Sequence, residues 1–157
     1  MNWYLFSLYV HILCVAIWIG GQLFLPLILL PAIQKMKIES LTKRSLLIET
    51  GIIFSKVGRW VIIFFILSGL GNFYFKFHSW NIEIFLSSYG EWLIIKIFLF
   101  LIMIGINIYH EKKIGFYLKS MLLDENYEKY RKVASITGRI TLLLSLIIAF
   151  IGIYLKK

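Results

Sequence analysis

The chain has 157 residues, 60% of them hydrophobic and 17% aromatic, with a mean hydropathy of +0.82 and a formal net charge of +9. This composition excludes a soluble globular domain, and a single cysteine excludes both a disulfide framework and a Cys-rich metal cluster. The positive charge does not argue for nucleic acid, because the basic residues lie in loops beside apolar runs, where membrane orientation and anionic headgroups account for them.

Four apolar stretches, about Tyr4 to Pro31, Ile52 to Phe75, Trp92 to His110 and Ile136 to Leu155, each approach the roughly 20 residues that a helix needs to cross a hydrocarbon core. They predict an all-α integral membrane bundle of four spans in a single domain. The first run has no Lys or Arg ahead of it, is too long for the apolar part of a signal peptide and lacks a small-residue cleavage site, so it reads as an uncleaved span. The first loop, Ala32 to Gly51, holds Lys35, Lys37, Lys43 and Arg44, and the third holds Lys112, Lys113, Lys119, Lys129, Arg131 and Lys132. The second, Phe77 to Gly90, has neither Lys nor Arg. The positive-inside rule therefore places loops one and three in the cytoplasm and both chain ends outside, in what reads as a bacterial inner membrane. Lys156 and Lys157 oppose this and are outnumbered. Trp80, Tyr89 and Trp92 suit an outer aromatic belt. In the third loop Phe116, Leu118, Met121, Leu122 and Tyr130 are interleaved with Lys119, Asp124, Glu125 and Glu128, so it either extends the third helix or lies on the membrane surface as a short amphipathic helix.

Polar and soft side chains within the spans are not scattered. On the first span His11, Cys14, Trp18 and Gln22 follow one another at steps of three, four and four, which stacks them on one helix face. On the third, Lys96, Met103, Asn107 and His110 form a second stripe at steps of seven, four and three. Ionisable groups in hydrocarbon are costly, so such stripes face a bundle interior or a wet cavity. Lys96 should snorkel outward, meet Glu91 or serve a site. Gly138, Thr141, Ser145, Ala149 and Gly152 make a small-residue packing face on the fourth span, and Ser68, Gly69, Gly71 and Asn72 a similar patch on the second.

Depth separates these groups. At about 1.5 Å per residue, His11 and Cys14 lie roughly 10 to 15 Å below the outer surface and His110 roughly 15 Å further in, too far apart to share one metal ion. The outer cluster is His11, Cys14, Lys96 and Met103; the inner one is Gln22, Arg59, Asn107, His110 and Arg139. Thiol, thioether and imidazole donors suit Cu(I), whereas Mg²⁺ or Ca²⁺ would want oxygens. A lone Cys or Met in a span is more often packing, and Trp18 is as readily core as cavity wall, but histidine there favours function. His78 belongs to the second loop, from which it could fold back onto the outer cluster.

The order of residues resembles a known family. Val10-His11-Ile12-Leu13, Ile17-Trp18-Ile19-Gly20-Gly21 and Leu29-Leu30-Pro31-Ala32 look like the first span of the copper-resistance protein D (CopD) type membrane family. The likeness continues in Gly58-Arg59-Trp60, Ser68-Gly69-Leu70, Tyr89-Gly90, Lys96, the exit from Asn107 to His110, and Gly138-Arg139. It implies a four-helix membrane bundle with a role in copper passage or handling. The chain also resembles the HemJ-type haem-binding protoporphyrinogen oxidases in His11, in Lys96 after Glu91-Trp92, and in His110. It departs from them at Leu27 after Leu25-Pro26 and at Ser135-Ile136-Thr137-Gly138 before the last span.

Two functional readings result. In the first, the protein handles or transports copper, with His11, Cys14 and Met103 as metal donors. In the second, it is a haem b redox protein or oxidase, with His11 or His110 as axial ligand and Arg59, Lys96 or Arg139 neutralising propionates. A third makes the stripes mere helix glue. The sequence holds no nucleophile triad, phosphate loop or pair of carboxylates within a span, so the reading leans away from an enzyme; Asp124-Glu125 is a solvated loop pair. The expected partners are a metal ion or haem and the lipid bilayer, with a homo-oligomer left open and nucleic acid excluded.

Overall fold

The computed structural model describes residues 2–77, 82–115 and 127–155, and every regular element among them is helical. Helix α1 (Trp3–Phe24) passes through a π turn (Leu25–Leu29) into α2 (Leu30–Lys35). Then come α3 (Ser40–Phe77), the short α4 (Ile82–Phe85), α5 (Ser88–Tyr109) with a π-type extension (His110–Gly115), and α6 (Tyr127–Tyr154). Four of these segments, Trp3–Lys35, Ser40–Phe77, Ser88–Lys112 and Tyr127–Tyr154, are long and apolar enough to span a membrane. The protein is the all-α four-span bundle that its apolar runs predict.

The boundaries differ from the sequence expectation in instructive ways. Pro31 does not end the first span. Pro26 lies within the π turn and Pro31 at the start of α2. A proline offers no N–H to the carbonyl four residues back and crowds it, and a widened turn relieves that crowding, so the helix runs through both prolines to Lys35. The first loop accordingly contracts to residues 36–39, and Lys43 on α3 fastens it by donating to the Gln34 carbonyl at 3.0 Å. The fourth helix is already formed at Tyr127, ahead of Ile136; Tyr127 is 3% exposed and its ring lies 4.3 Å beneath the Arg44 guanidinium of α3. Glu128 and Tyr130 of the expected amphipathic segment are therefore part of α6. Its other members, Phe116, Leu118, Lys119, Met121, Leu122, Asp124 and Glu125, lie outside the described residues, as do His78 and Trp80.

Helix α1 packs along α3, α5 packs along α6, and α1 also meets α6. Pairs of contacts fix the antiparallel register. Ser7 pairs with Ser68, Trp18 stacks near Phe54 at 6.2 Å, and Trp92 meets Tyr154 with ring centroids 5.3 Å apart. Lys76 at the end of α3 reaches the Leu155 carbonyl at 3.4 Å and covers the Tyr89 ring at 4.3 Å. The first turns of α1 and the last of α6 therefore share one end of the bundle, lined with aromatic rings, while Lys43, Arg44, Arg59 and Arg131 gather toward the other.

The corner before α5 is tight. Ser87 caps the helix by accepting from the Gly90 N–H at 3.3 Å, and Glu91 sits in the first turn, where the helix dipole favours a carboxylate. A Cβ on Gly90 would strike the Ile84 carbonyl and the Phe85 backbone, so only glycine fits. Outward, Phe150 is 72% exposed and Leu27 67%, the pattern of a bundle solvated by acyl chains rather than water.

Candidate functional site

The α1 stripe faces inward as its spacing requires. Ser7, Cys14 and Trp18 are buried and His11 and Gln22 half-buried, all on the side toward α3 and α6. The His11 imidazole lies 4.1 Å from the Phe65 ring, centroid to centroid, and its Cε1 would touch a Cβ at Gly69 at 3.4 Å. Ser68 completes the pocket. Its hydroxyl is 3.1 Å from His11 Nδ1 and 3.1 Å from the Phe65 carbonyl. With the serine proton on that carbonyl and the imidazole proton on Nδ1, Nδ1–H donates to Ser68 Oγ. That tautomer leaves the Nε2 lone pair available to a metal ion, the arrangement in which a second partner orients a histidine ligand.

Farther in, Cys14, Trp18, Val61, Met103 and Ile148 form the buried core cluster, which unites α1, α3, α5 and α6. Trp18 donates its indole N–H to Ser145 Oγ at 3.0 Å. Ser145 Oγ lies 2.8 Å from the Thr141 carbonyl and 3.3 Å from Met103 Sδ, and its one proton serves either acceptor. Cys14 and Met103, predicted as metal donors on separate helices, thus belong to one cluster, about a turn deeper than His11. Among the described residues no three His, Cys, Asp or Glu side chains converge, so a metal ion held here would draw on the Met103 thioether. Trp18 is core, with its polar atom satisfied.

Lys96 stays inside the bundle. Its Nζ rests on α6 beside Gly152, 3.2 Å from where a Cβ there would sit. The small residues of α6 serve this purpose as well as packing: Thr141 and Ser145 are buried and Gly152 yields space to the lysine. Gly138 has open space before it, and Thr137 occupies the inner face at that level instead.

The inner group does not form one cradle. Arg59 pairs with Glu111 at 3.6 Å, the His110 ring addresses the Ala134 carbonyl, Asn107 donates to the Met103 carbonyl at 3.2 Å, and Arg139 lies on the exposed face of α6. Lys96 and His110 are 14 positions apart on α5, about 20 Å along its axis. Of the residues considered for haem, Arg59, His110 and Arg139 therefore lie toward the basic end of the bundle and Lys96 toward the other.

Sequence reasoning treated Ser68 and Ser145 as small packing residues. Each is instead the hydroxyl that orients a neighbour, His11 or Trp18 and Met103. The signal was their position on inward faces of α3 and α6; the missing knowledge was which turn of α1 lies opposite. Two further oxygens stand out. Asn72 Oδ1 near the mouth of the α1–α3 pair and Gln22 Oε1 below Trp18 are buried without a hydrogen-bond partner. An unpaired buried amide oxygen is costly and marks a place where water or a ligand belongs.

A multi-pass membrane bundle with a soft-donor stripe in its core is the class of protein that fold and site define. The chain belongs to the copper resistance protein D (CopD) family, whose model matches residues 48–154, more than half of the chain. The match runs from α3 through α6 and does not include the His11 and Cys14 stripe of α1. No curated protein and no solved structure gives a significant match to the chain.

Proposed function

We propose that this protein handles copper within the membrane and conducts Cu(I) across it, using His11, Cys14 and Met103 as successive donors. The observation that carries the reading is the sharing of one buried cluster by the Cys14 thiol and the Met103 thioether, with the oriented His11 imidazole about a turn above them. Soft sulfur and imidazole donors favour Cu(I) over hard cations. The unpartnered oxygens of Asn72 and Gln22 flank this stripe and offer an ion polar contacts as it sheds and regains water. Lys96 stands beside the route, and its ammonium form would disfavour divalent cations more than Cu(I). Membership in the CopD family supports copper as the substrate. The basic end faces the cytoplasm, and a bacterial inner membrane is the proposed setting.

The test is copper retention by detergent-purified protein loaded with Cu(I) under reducing conditions and challenged with a competing chelator. About one Cu(I) per chain, with sulfur and nitrogen scattering in X-ray absorption, is the expected result. His11→Ala and a Cys14→Ala/Met103→Leu double variant should lose it. Equal retention by all three proteins would remove these donors from the site, and a Soret band that shifts on reduction would replace copper with haem.

A further inference from the structure

On the inward face of α1, Trp18 stands between the soft donors and Gln22. Cys14 and His11 lie one and two turns toward the aromatic end, and Gln22 lies one turn toward the basic end. The indole fills the centre of the bundle. It belongs to the buried cluster that unites the four spans, its Cζ3 is 2.9 Å from where a Cβ on Gly58 would sit, and its N–H donates to Ser145 Oγ at 3.0 Å. The same stripe holds a second acceptor. Gln22 Oε1 is buried without a hydrogen-bond partner. A long side chain on a helix leans back over the turn before it, so the Gln22 amide extends toward Trp18. An acceptor left open in the interior is costly, and an indole N–H supplied from the neighbouring turn would cancel that cost.

We propose that Trp18 is the gate of the copper route, with its N–H on Ser145 Oγ when closed, as in this structure, and on Gln22 Oε1 when open. The gate rests on the copper reading above. Each position satisfies the indole donor, which makes the element bistable rather than loose. Ser145 is not stranded when the indole leaves, because its hydroxyl keeps the Thr141 carbonyl at 2.8 Å. The ion itself biases the choice. Ser145 Oγ lies 3.3 Å from Met103 Sδ. A cation on that sulfur attracts the Oγ lone pairs and repels the positive end of the indole N–H dipole, so it favours the open position, and that difference moves the equilibrium. Cu(I) arriving at Met103 opens the way toward the basic end, and an empty Met103 leaves it shut.

The experiment is fluorine NMR of the full chain in micelles, labelled with 5-fluorotryptophan, with the Trp18 signal assigned by its loss in Trp18→Phe. Cu(I) should move the Trp18 signal toward a second position. Without copper, Ser145→Ala should raise the share of that position about fivefold, the effect of deleting one hydrogen bond from the closed state. Gln22→Met, of similar size but without the acceptor, should abolish it and leave Cu(I) bound. The Trp3 and Trp92 signals should stay in place in both variants, which a misfolded protein would not allow. A Trp18 signal unmoved by Ser145→Ala, or a second position that survives Gln22→Met, would overturn the gate. If the parent chain retains Cu(I) and its addition leaves the Trp18 signal in place, the copper reading stands and the gate falls. If Cu(I) is not retained, the copper reading falls and the gate with it, even where Ser145→Ala still shows the two positions.

Discussion

Trp18 on the first helix donates its indole N–H to Ser145 on the last at 3.0 Å, across 127 positions of sequence. This bond, with the serine's own contacts to the Thr141 carbonyl and Met103 Sδ, joins three of the four spans at the centre of the core. In lipid the apolar surface supplies no driving force between helices, so packing and such polar contacts hold them together. Trp18→Phe deletes the N–H and keeps most of the ring. It should cost about 0.5–1.5 kcal/mol in a reversible unfolding titration from mixed micelles, and Ser145→Ala a similar amount. The double variant should cost less than the sum, because both single changes break the same bond.

The glycines provide an internal contrast. A Cβ on Gly58 would come 2.9 Å from Trp18 Cζ3, whereas Gly20, Gly105 and Gly138 have nothing within 4 Å. Gly58→Ala must push the indole off its seat and off Ser145, which should destabilise by about 1–3 kcal/mol. Gly105→Ala or Gly138→Ala should be neutral or gain up to about 1 kcal/mol from helix propensity alone. Thermal denaturation of the three variants side by side checks the ordering, and a Gly58→Ala protein as stable as the parent would contradict the packing.

These contrasts show what the sequence reveals and what it withholds. The four spans are legible because a helix in hydrocarbon must be long and apolar, and the inward stripes are legible because helical spacing stacks His11, Cys14, Trp18 and Gln22. Both depend on one helix at a time. Cross-helix partners depend on relative depth, which sequence spacing does not encode, so the roles of Ser68 and Ser145 and the seat of Lys96 on Gly152 emerge only from the bundle. Helix ends outside hydrocarbon were equally hidden. The first turns of α3 and α6 are polar enough to read as loop, yet they form helix because Arg44, Tyr127 and Glu128 hold them against each other.

The distribution of charge also makes a prediction about orientation. The described ends of α1 and α6 meet at the aromatic end, and Lys43, Arg44, Arg59 and Arg131 lie toward the opposite one. Alkaline phosphatase fused after Lys157 should therefore be active in the periplasm, and a cysteine placed at Ser40 should react with a membrane-impermeant thiol reagent only after the membrane is opened. The reverse pattern would invert the route proposed for copper.

The ion pair of Arg59 with Glu111 invites more weight than it can bear. The side chains are 61% and 35% exposed and 3.6 Å apart, so water and salt screen them. Glu111→Gln should cost less than about 1 kcal/mol, and the difference should shrink in high salt.

Ser68 offers the sharper test of the site. Its hydroxyl lies 3.1 Å from His11 Nδ1, while its backbone carbonyl, which survives any substitution, accepts from Ser7 at 2.9 Å. Ser68→Ala should thus leave the α1–α3 pairing nearly intact and remove only the hydrogen bond that aims the imidazole. Loss of an orienting partner behind a histidine ligand lowers metal affinity about 10- to 100-fold. Cu(I) competition titration of Ser68→Ala should show a weakening of that order with unfolding unchanged to within about 1 kcal/mol. Parent affinity in a stable Ser68→Ala protein would mean that His11 needs no orientation from α3, and a matching fall in stability and affinity would assign the hydroxyl to packing.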